Sequence, residues 1–123
     1  LAVSYQDVSR AFYRLRSGIV RTTMSYSDTL SSLCGCDIYL KRDFDQATGS
    51  FKERGARNAL LLLSEADRAK GVVAASAGNH ALALAYHGAQ LGIPVTVIMP
   101  KVSFCRVVVV VVCGIYLQPN HSL

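Results

Sequence analysis

Between residues 72 and 99 the chain carries a pattern that few folds can accommodate. Val72-Val73-Ala74-Ala75 is a short apolar run of strand type, Ser76-Ala77-Gly78-Asn79 follows without a linker, and His80 to Leu91 then fits a helix. Ala81, Ala85, Gly88 and Ala89 give that helix a narrow surface able to approach a sheet closely, and Gly92 is placed to cap its end. Pro94 to Met99 reads as the next strand. Strand, helix and strand within about thirty residues form a βαβ unit, which implies parallel pairing through a right-handed crossover. The fold class is therefore α/β.

Upstream, Val8, Ala11, Phe12 and Leu15 recur at helical spacing within Asp7 to Arg16, and Asp28 to Leu33 reads as a second short helix stopped by Gly35. Ile38, Tyr39 and Leu40 suggest a short strand within Asp37 to Arg42, followed by the polar turn Asp45-Gln46-Ala47-Thr48-Gly49. Ser50-Phe51-Lys52-Glu53 has the form of a capping box, in which Ser50 accepts from the Glu53 amide and the Glu53 carboxylate reaches back. A helix from there runs to about Leu63, and Ser64-Glu65-Ala66-Asp67 starts a further turn ended by Gly71.

The length, 123 residues, suits one domain-sized unit, and 51% hydrophobic residues suffice for a core, which excludes a disordered or collagen-like chain. The net charge of +5 is scattered and lacks a basic block or aromatic–basic alternation, so no nucleic-acid partner is expected. Cys34, Cys36, Cys105 and Cys113 lack CxxC spacing, and in an aliphatic-rich chain they are read as reduced thiols in a reducing compartment, most of them packing residues. The expected compartment is the cytoplasm, with mitochondrial or plastid import left open because the sequence starts at Leu1 rather than Met. Val107 to Leu117 is apolar and includes six consecutive valines. It is shorter than the ~20 residues of a membrane helix, and branching at Cβ favours a buried strand, or failing that an aggregation-prone one. No membrane partner is expected.

Two places can hold chemistry. The strand end before the 80–91 helix is where open α/β sheets bind ligands. Amides of Gly78, Asn79 and His80 at that helix N-terminus suit a carboxylate or phosphate, with Ser76 and Asn79 adding side-chain hydrogen bonds. The plainer reading is that Ser76 caps the helix and Gly78 turns the chain. Lys52 is the second place, since a lysine in a first helical turn opposes the dipole. Arg54 and Arg57 nearby, together with burial, would favour the neutral amine that condenses with a carbonyl. The plainer reading there is a solvated lysine on a basic helix face. His80 and His87 are seven apart rather than the i,i+4 of a metal pair, so no metal site is expected. Asp43 and Asp45 are taken as solvated turn residues without a catalytic role.

Together, these words resemble a known family. Tyr39-Leu40-Lys41-Arg42-Asp43 with Thr48-Gly49-Ser50-Phe51-Lys52-Glu53-Arg54-Gly55-Ala56 resembles the cofactor-lysine segment of threonine/serine dehydratases, which are fold-type II pyridoxal phosphate enzymes of the tryptophan synthase β-like class. Val73-Ala74-Ala75-Ser76-Ala77-Gly78-Asn79-His80-Ala81 is similar to their substrate loop, and Leu91-Gly92-Ile93-Pro94 and Ile98-Met99-Pro100 continue it. Arg21-Thr22 resembles an early Arg-Thr-Pro, with Thr23 in place of proline.

The resemblance implies a parallel-sheet, three-layer fold, present here incompletely, and pyridoxal 5'-phosphate as cofactor. Lys52 would hold the cofactor through its amine and, once displaced by substrate, take the α-proton. Phe51 would stack on the pyridine ring and Asn79 would hydrogen-bond its phenolic oxygen. Ser76, Gly78, Asn79 and His80 would hold the substrate carboxylate. The reaction implied is β-elimination of the hydroxyl of threonine or serine to a 2-oxo acid and ammonia. Ala77 stands where racemases of the fold resemble the pattern with a second serine, which favours dehydration over racemisation.

Residues 1–67 would belong to the large cofactor domain and 68–123 would open the small one, with an atypical tail from about 101. The glycine-rich phosphate loop and the residue that contacts the pyridine nitrogen are missing from the sequence. The chain is thus expected to be an N-terminal fragment, inactive alone, of an enzyme that is a homo-oligomer at full length. The alternatives are a non-catalytic remnant that associates through its valine segment, or a racemase or synthase of the same fold. The reading depends on the Lys52 amine lying near a buried aromatic wall and facing the 76–80 loop.

Overall fold

A computed structural model describes residues 2–100 and the backbone of Val107–Val112. Helix α1 (Tyr5–Leu15) starts earlier than its apolar spacing predicts because Ser4 caps it. The Ser4 hydroxyl accepts from the Asp7 amide, and the Asp7 carboxylate accepts from the Ser4 amide. After β1 (Met24–Tyr26), helix α2 (Asp28–Cys34) is capped by Ser27 and ends on Gly35, whose φ of 68° is the left-handed geometry that glycine supplies at least cost. Strand β2 (Tyr39–Lys41) pairs antiparallel with β1, placing Tyr26 opposite Tyr39. Strand β1 is absent from the sequence-based expectation, since Met24-Ser25-Tyr26 lacks the consecutive apolar residues, Ile38-Tyr39-Leu40, that mark β2.

Helix α3 (Lys52–Leu62) and the short α4 (Glu65–Lys70) precede β3 (Val72–Ala75), α5 (Asn79–Leu91) and β4 (Val95–Pro100). Strands β3 and β4 pair in parallel, Val72 with Val95 through Ala75 with Ile98, as the βαβ unit requires. The valines form β5 (Val107–Val112), antiparallel to β4, so the sheet order is β3-β4-β5. The strand expected there is present; the burial of its side chains, and the packing of Cys105 and Cys113, lie outside the described residues.

One core joins α3, α5 and the sheet. Ala56 and Leu60 of α3 are buried with Ala81, Ala83 and Leu84 of α5, Ile93, and Val95 and Val97 of β4. Of the four small residues expected on the sheet-facing surface of α5, Ala81 and Gly88 are buried and Ala85 is half-buried, while Ala89 is exposed. A Cβ added at Gly88 would lie 2.3 Å from Val95 Cγ2, so close helix–sheet approach depends on that glycine. Helix α1 lies against α3 through Arg14, whose Nε donates to Asn58 Oδ1 at 2.9 Å. It buries only Leu15, leaving Val8 and Phe12 exposed. Cys34 and Cys36 are exposed free thiols, which corrects the reading of most cysteines as packing residues: α2 is short and turns its end to solvent.

Candidate functional site

Helix α3 begins differently from the capping box read in the sequence. Its N-cap is Phe51, with no side-chain cap, and the first bonds span three residues, Glu53 N to Ser50 O and Arg54 N to Phe51 O. Ser50 Oγ accepts from the Lys52 amide at 3.3 Å rather than from Glu53. Glu53 turns inward. One carboxylate oxygen accepts from the Thr48 amide, and the other lies 3.1 Å from His87 Nε2 on α5. The interior offers Glu53 a charge-assisted partner that a solvated cap cannot match.

Lys52 is therefore in the first turn of α3 and exposed, with Nζ 5.0 Å from the centre of the Phe51 ring. Attraction between the ammonium and the ring face gives this lysine its local partner. Phe51 is 61% exposed, so the aromatic wall is present but unburied in this chain. The two arginines near Lys52 in sequence face other groups. Arg54 donates from Nε and Nη2 to the two oxygens of Asp43, both at 2.8 Å, and Arg57 is buried against α5.

Asp43 is accordingly not a solvated turn residue. Besides Arg54 it accepts from the buried Thr22 hydroxyl at 2.7 Å, which ties the Arg21-Thr22 segment to α3. The Arg54 hydrogen bonds, aided by Thr22, hold its carboxyl far below the usual range. Asp45 is exposed and pairs with Arg42 at 3.2 Å.

At the other place, β3 ends at Ala75, and the Ser76 amide donates to Ile98 O at 3.0 Å. Ser76 does not cap α5. The N-cap is Gly78, without any side-chain cap, while Ser76 Oγ accepts from the Gly78 amide at 3.4 Å. A Cβ at Gly78 would meet nothing within 4 Å, so chain packing does not demand glycine there; what glycine leaves is open approach to the backbone. Gly78 and Asn79 are exposed, and Ser76 and His80 are half-buried. First-turn amides without a cap, at the positive end of a helix and the carboxyl end of a strand, can receive a carboxylate or phosphate.

Among the described residues, no hydrogen bond joins Lys52 or Phe51 to the 76–80 loop. Two cavities, of about 470 Å³ beside α1 and about 330 Å³ beside Glu53 and Gln90, are lined by neither Lys52 nor that loop. What links the two places is the packing of α3 on α5 and a buried polar network that sequence reasoning missed. His87, fully buried, lies between Glu53 and Arg57 Nη1, each at 3.1 Å, and the same Nη1 donates to Gln90 Oε1 at 2.9 Å. Burial pushes the His87 imidazole below its ordinary value, opposed by Glu53. The available signal was a histidine three residues after Leu84 and four after Ala83, on the buried face of α5.

Residues 15–104 match the family model for the pyridoxal-phosphate dependent enzymes. The chain belongs to that family. It is 46% identical over 99 residues to an L-threonine ammonia-lyase of Thermotoga maritima, covering 80% of this chain and 25% of that protein. It superposes on the serine racemase of Dictyostelium discoideum with a TM-score of 0.77 at 37% identity, covering 82% of this chain and 33% of that one. For the processed form of threonine deaminase isoform 2 from Solanum lycopersicum the TM-score is 0.66 at 29% identity, covering 83% and 30%. The chain thus spans a quarter to a third of the relatives it matches. Its α/β fold is that of the fold-type II pyridoxal-phosphate enzymes. The cofactor of the family is pyridoxal phosphate. No helix among the described residues is long and apolar enough to cross a membrane.

Proposed function

We propose that the protein carrying this chain is a pyridoxal-phosphate-dependent L-threonine/L-serine dehydratase, releasing a 2-oxo acid and ammonia by β-elimination. The observation that carries the reading is the uncapped start of α5, with open space before Gly78, in the same chain as an exposed lysine beside an aromatic ring. These residues fit the cofactor: an accessible amine for its aldehyde, an aromatic face for its ring, and an amide side chain at Asn79 for its phenolic oxygen. When bound, pyridoxal phosphate supplies an electron sink for the α-carbon.

The residues then have distinct tasks. Lys52 would hold the cofactor through Nζ and would take the substrate α-proton at the same atom. Phe51 would offer its face to the cofactor ring, and Asn79 would hydrogen-bond the ring's phenolic oxygen. The amides of Gly78, Asn79 and His80, with the Ser76 hydroxyl, bind the substrate carboxylate, so that the α-hydrogen is presented to Lys52. In this reading residues 1–67 contribute to the large domain and 68–123 open the small one, the two meeting in the α3–α5 core, and the full-length protein is a homo-oligomer.

In the full-length protein, Lys52→Ala is expected to abolish both the visible cofactor band and 2-oxo acid release. Turnover that survives this change sinks the assignment. The likeness to a serine racemase motivates a second reading. Ala77, which carries no exchangeable proton, weighs against it. Measuring D-serine beside pyruvate from L-serine decides between them, and dominant D-serine favours the racemase.

A further inference from the structure

The Glu53–His87–Arg57 network is buried more deeply than any group in the proposed site, with His87 0% and Glu53 1% exposed. Burying charge this way costs more than an apolar contact between α3 and α5 would. What it gives in return is direction: the bonds from Arg57 Nη1 to His87 and Gln90 and from His87 to Glu53 hold α3 on α5 at set distances, although Arg57 Nε is buried without a partner.

The protonation pattern follows from the partners. A guanidinium only donates, so Arg57 Nη1 must find a lone pair on His87 Nδ1, 3.1 Å away. Nε2 then carries the hydrogen and donates to Glu53 Oε2. The other Glu53 oxygen holds the Thr48 amide, tying in the turn before Lys52, and Arg57 also reaches Gln90. Gly18 closes the third side, since a Cβ there would lie 1.8 Å from Arg57 Cζ.

We propose that His87 is a positioning residue: as the neutral Nε2–H tautomer, it sets where the start of α3, bearing Lys52, lies relative to the open start of α5. This rests on the reading of Lys52 and the 76–80 loop as halves of one site. The bridge sits eight residues into α5, about 12 Å along its axis from Asn79, so it acts through the helices and not on reacting atoms. The groups facing His87 are Glu53 and Arg57 from α3 and Tyr86 and Gln90 from α5. Protonation would turn Nδ1 into a donor pointed at the guanidinium, opening the bridge at its Arg57 end. The cavity of about 330 Å³ lined by Arg16, Gly18, Glu53, Tyr86 and Gln90 borders the network at Glu53 and Gln90, the residues on either side of the His87–Arg57 contact.

The test uses the full-length protein with His87→Gln and His87→Ala, and nitrogen NMR of the imidazole in its cofactor-free form. The expected imidazole is the Nε2–H tautomer at neutral pH, and its titration coincides with the acid limb of kcat/KM. His87→Ala is expected to lower kcat/KM by about 10²-fold, chiefly through KM. His87→Gln keeps a donor for Glu53 but cannot titrate, so it retains more activity and loses that acid limb. An Nδ1–H or doubly protonated ring at neutral pH overturns the proposal, as do folded variants with unchanged kcat/KM and acid limb. Should both variants fail to fold, coincidence of the imidazole titration with the wild-type acid limb supports the proposal and a mismatch overturns it. Lys52→Ala assayed in parallel keeps the two readings apart, because turnover there refutes the site whatever His87 does.

Discussion

Asp43 shows how much a single carboxylate can hold together. Arg54 clamps it through two parallel bonds and Thr22 adds a third, so the 20–23 segment, the turn at 43–45 and α3 meet at one side chain. Asp43→Asn keeps the shape but removes the charge that makes those bonds strong. The pair is partly solvated, and the expected loss is about 1 kcal/mol, read as a lower urea midpoint of the full-length protein. Nothing in a polar turn announces such a residue. Its partners lie 11 and 21 residues away, so chain neighbourhood alone favours solvent. Glu53 departs from its local reading for a related reason: Ser-x-x-Glu describes a cap that is available locally, whereas the pocket beside His87 exists only once α5 is in place.

Helix α5 is legible in the sequence because its small residues, its glycine stop and its flanking strands agree. Gly92 has the expected left-handed φ of 66°, and β3 and β4 pair in parallel on either side of the crossover. The contact of Gly88 with Val95 makes a direct prediction. Gly88→Ala forces a methyl into packed atoms and is expected to cost about 1–3 kcal/mol despite the better helix propensity of alanine, seen as a lower melting temperature. The caps at Ser4 and Ser64 follow the same Ser-x-x-acid pattern that gives no cap at Ser50. At both of those positions the acid, Asp7 or Asp67, is on an exposed helix face with no interior partner competing for it.

For the molecule taken together, acid is the informative stress. The His87 imidazole is pushed below 6.5 in the folded state, mainly by burial, so the unfolded chain takes up a proton that the folded one refuses. Stability is complete above about pH 6.5 and falls as the pH drops below it. Asp43 is held below its ordinary 3.8 by Arg54, so its contribution is complete above that value and is lost progressively below it. Urea titrations of the full-length protein across pH 7 to 3 are expected to show two successive declines, the first missing in His87→Gln.

The α/β class, the βαβ unit and the residues put forward for the site could be read along the chain, because each rests on neighbours: an apolar period, a glycine at a helix end, a loop that joins a strand to a helix. Which polar groups are interior could not. Lys52 is exposed beside Phe51, while Glu53, one residue on, is buried against His87, 34 positions away. Burial is a property of the partner surface, and the partner surface forms only when α3 and α5 have packed.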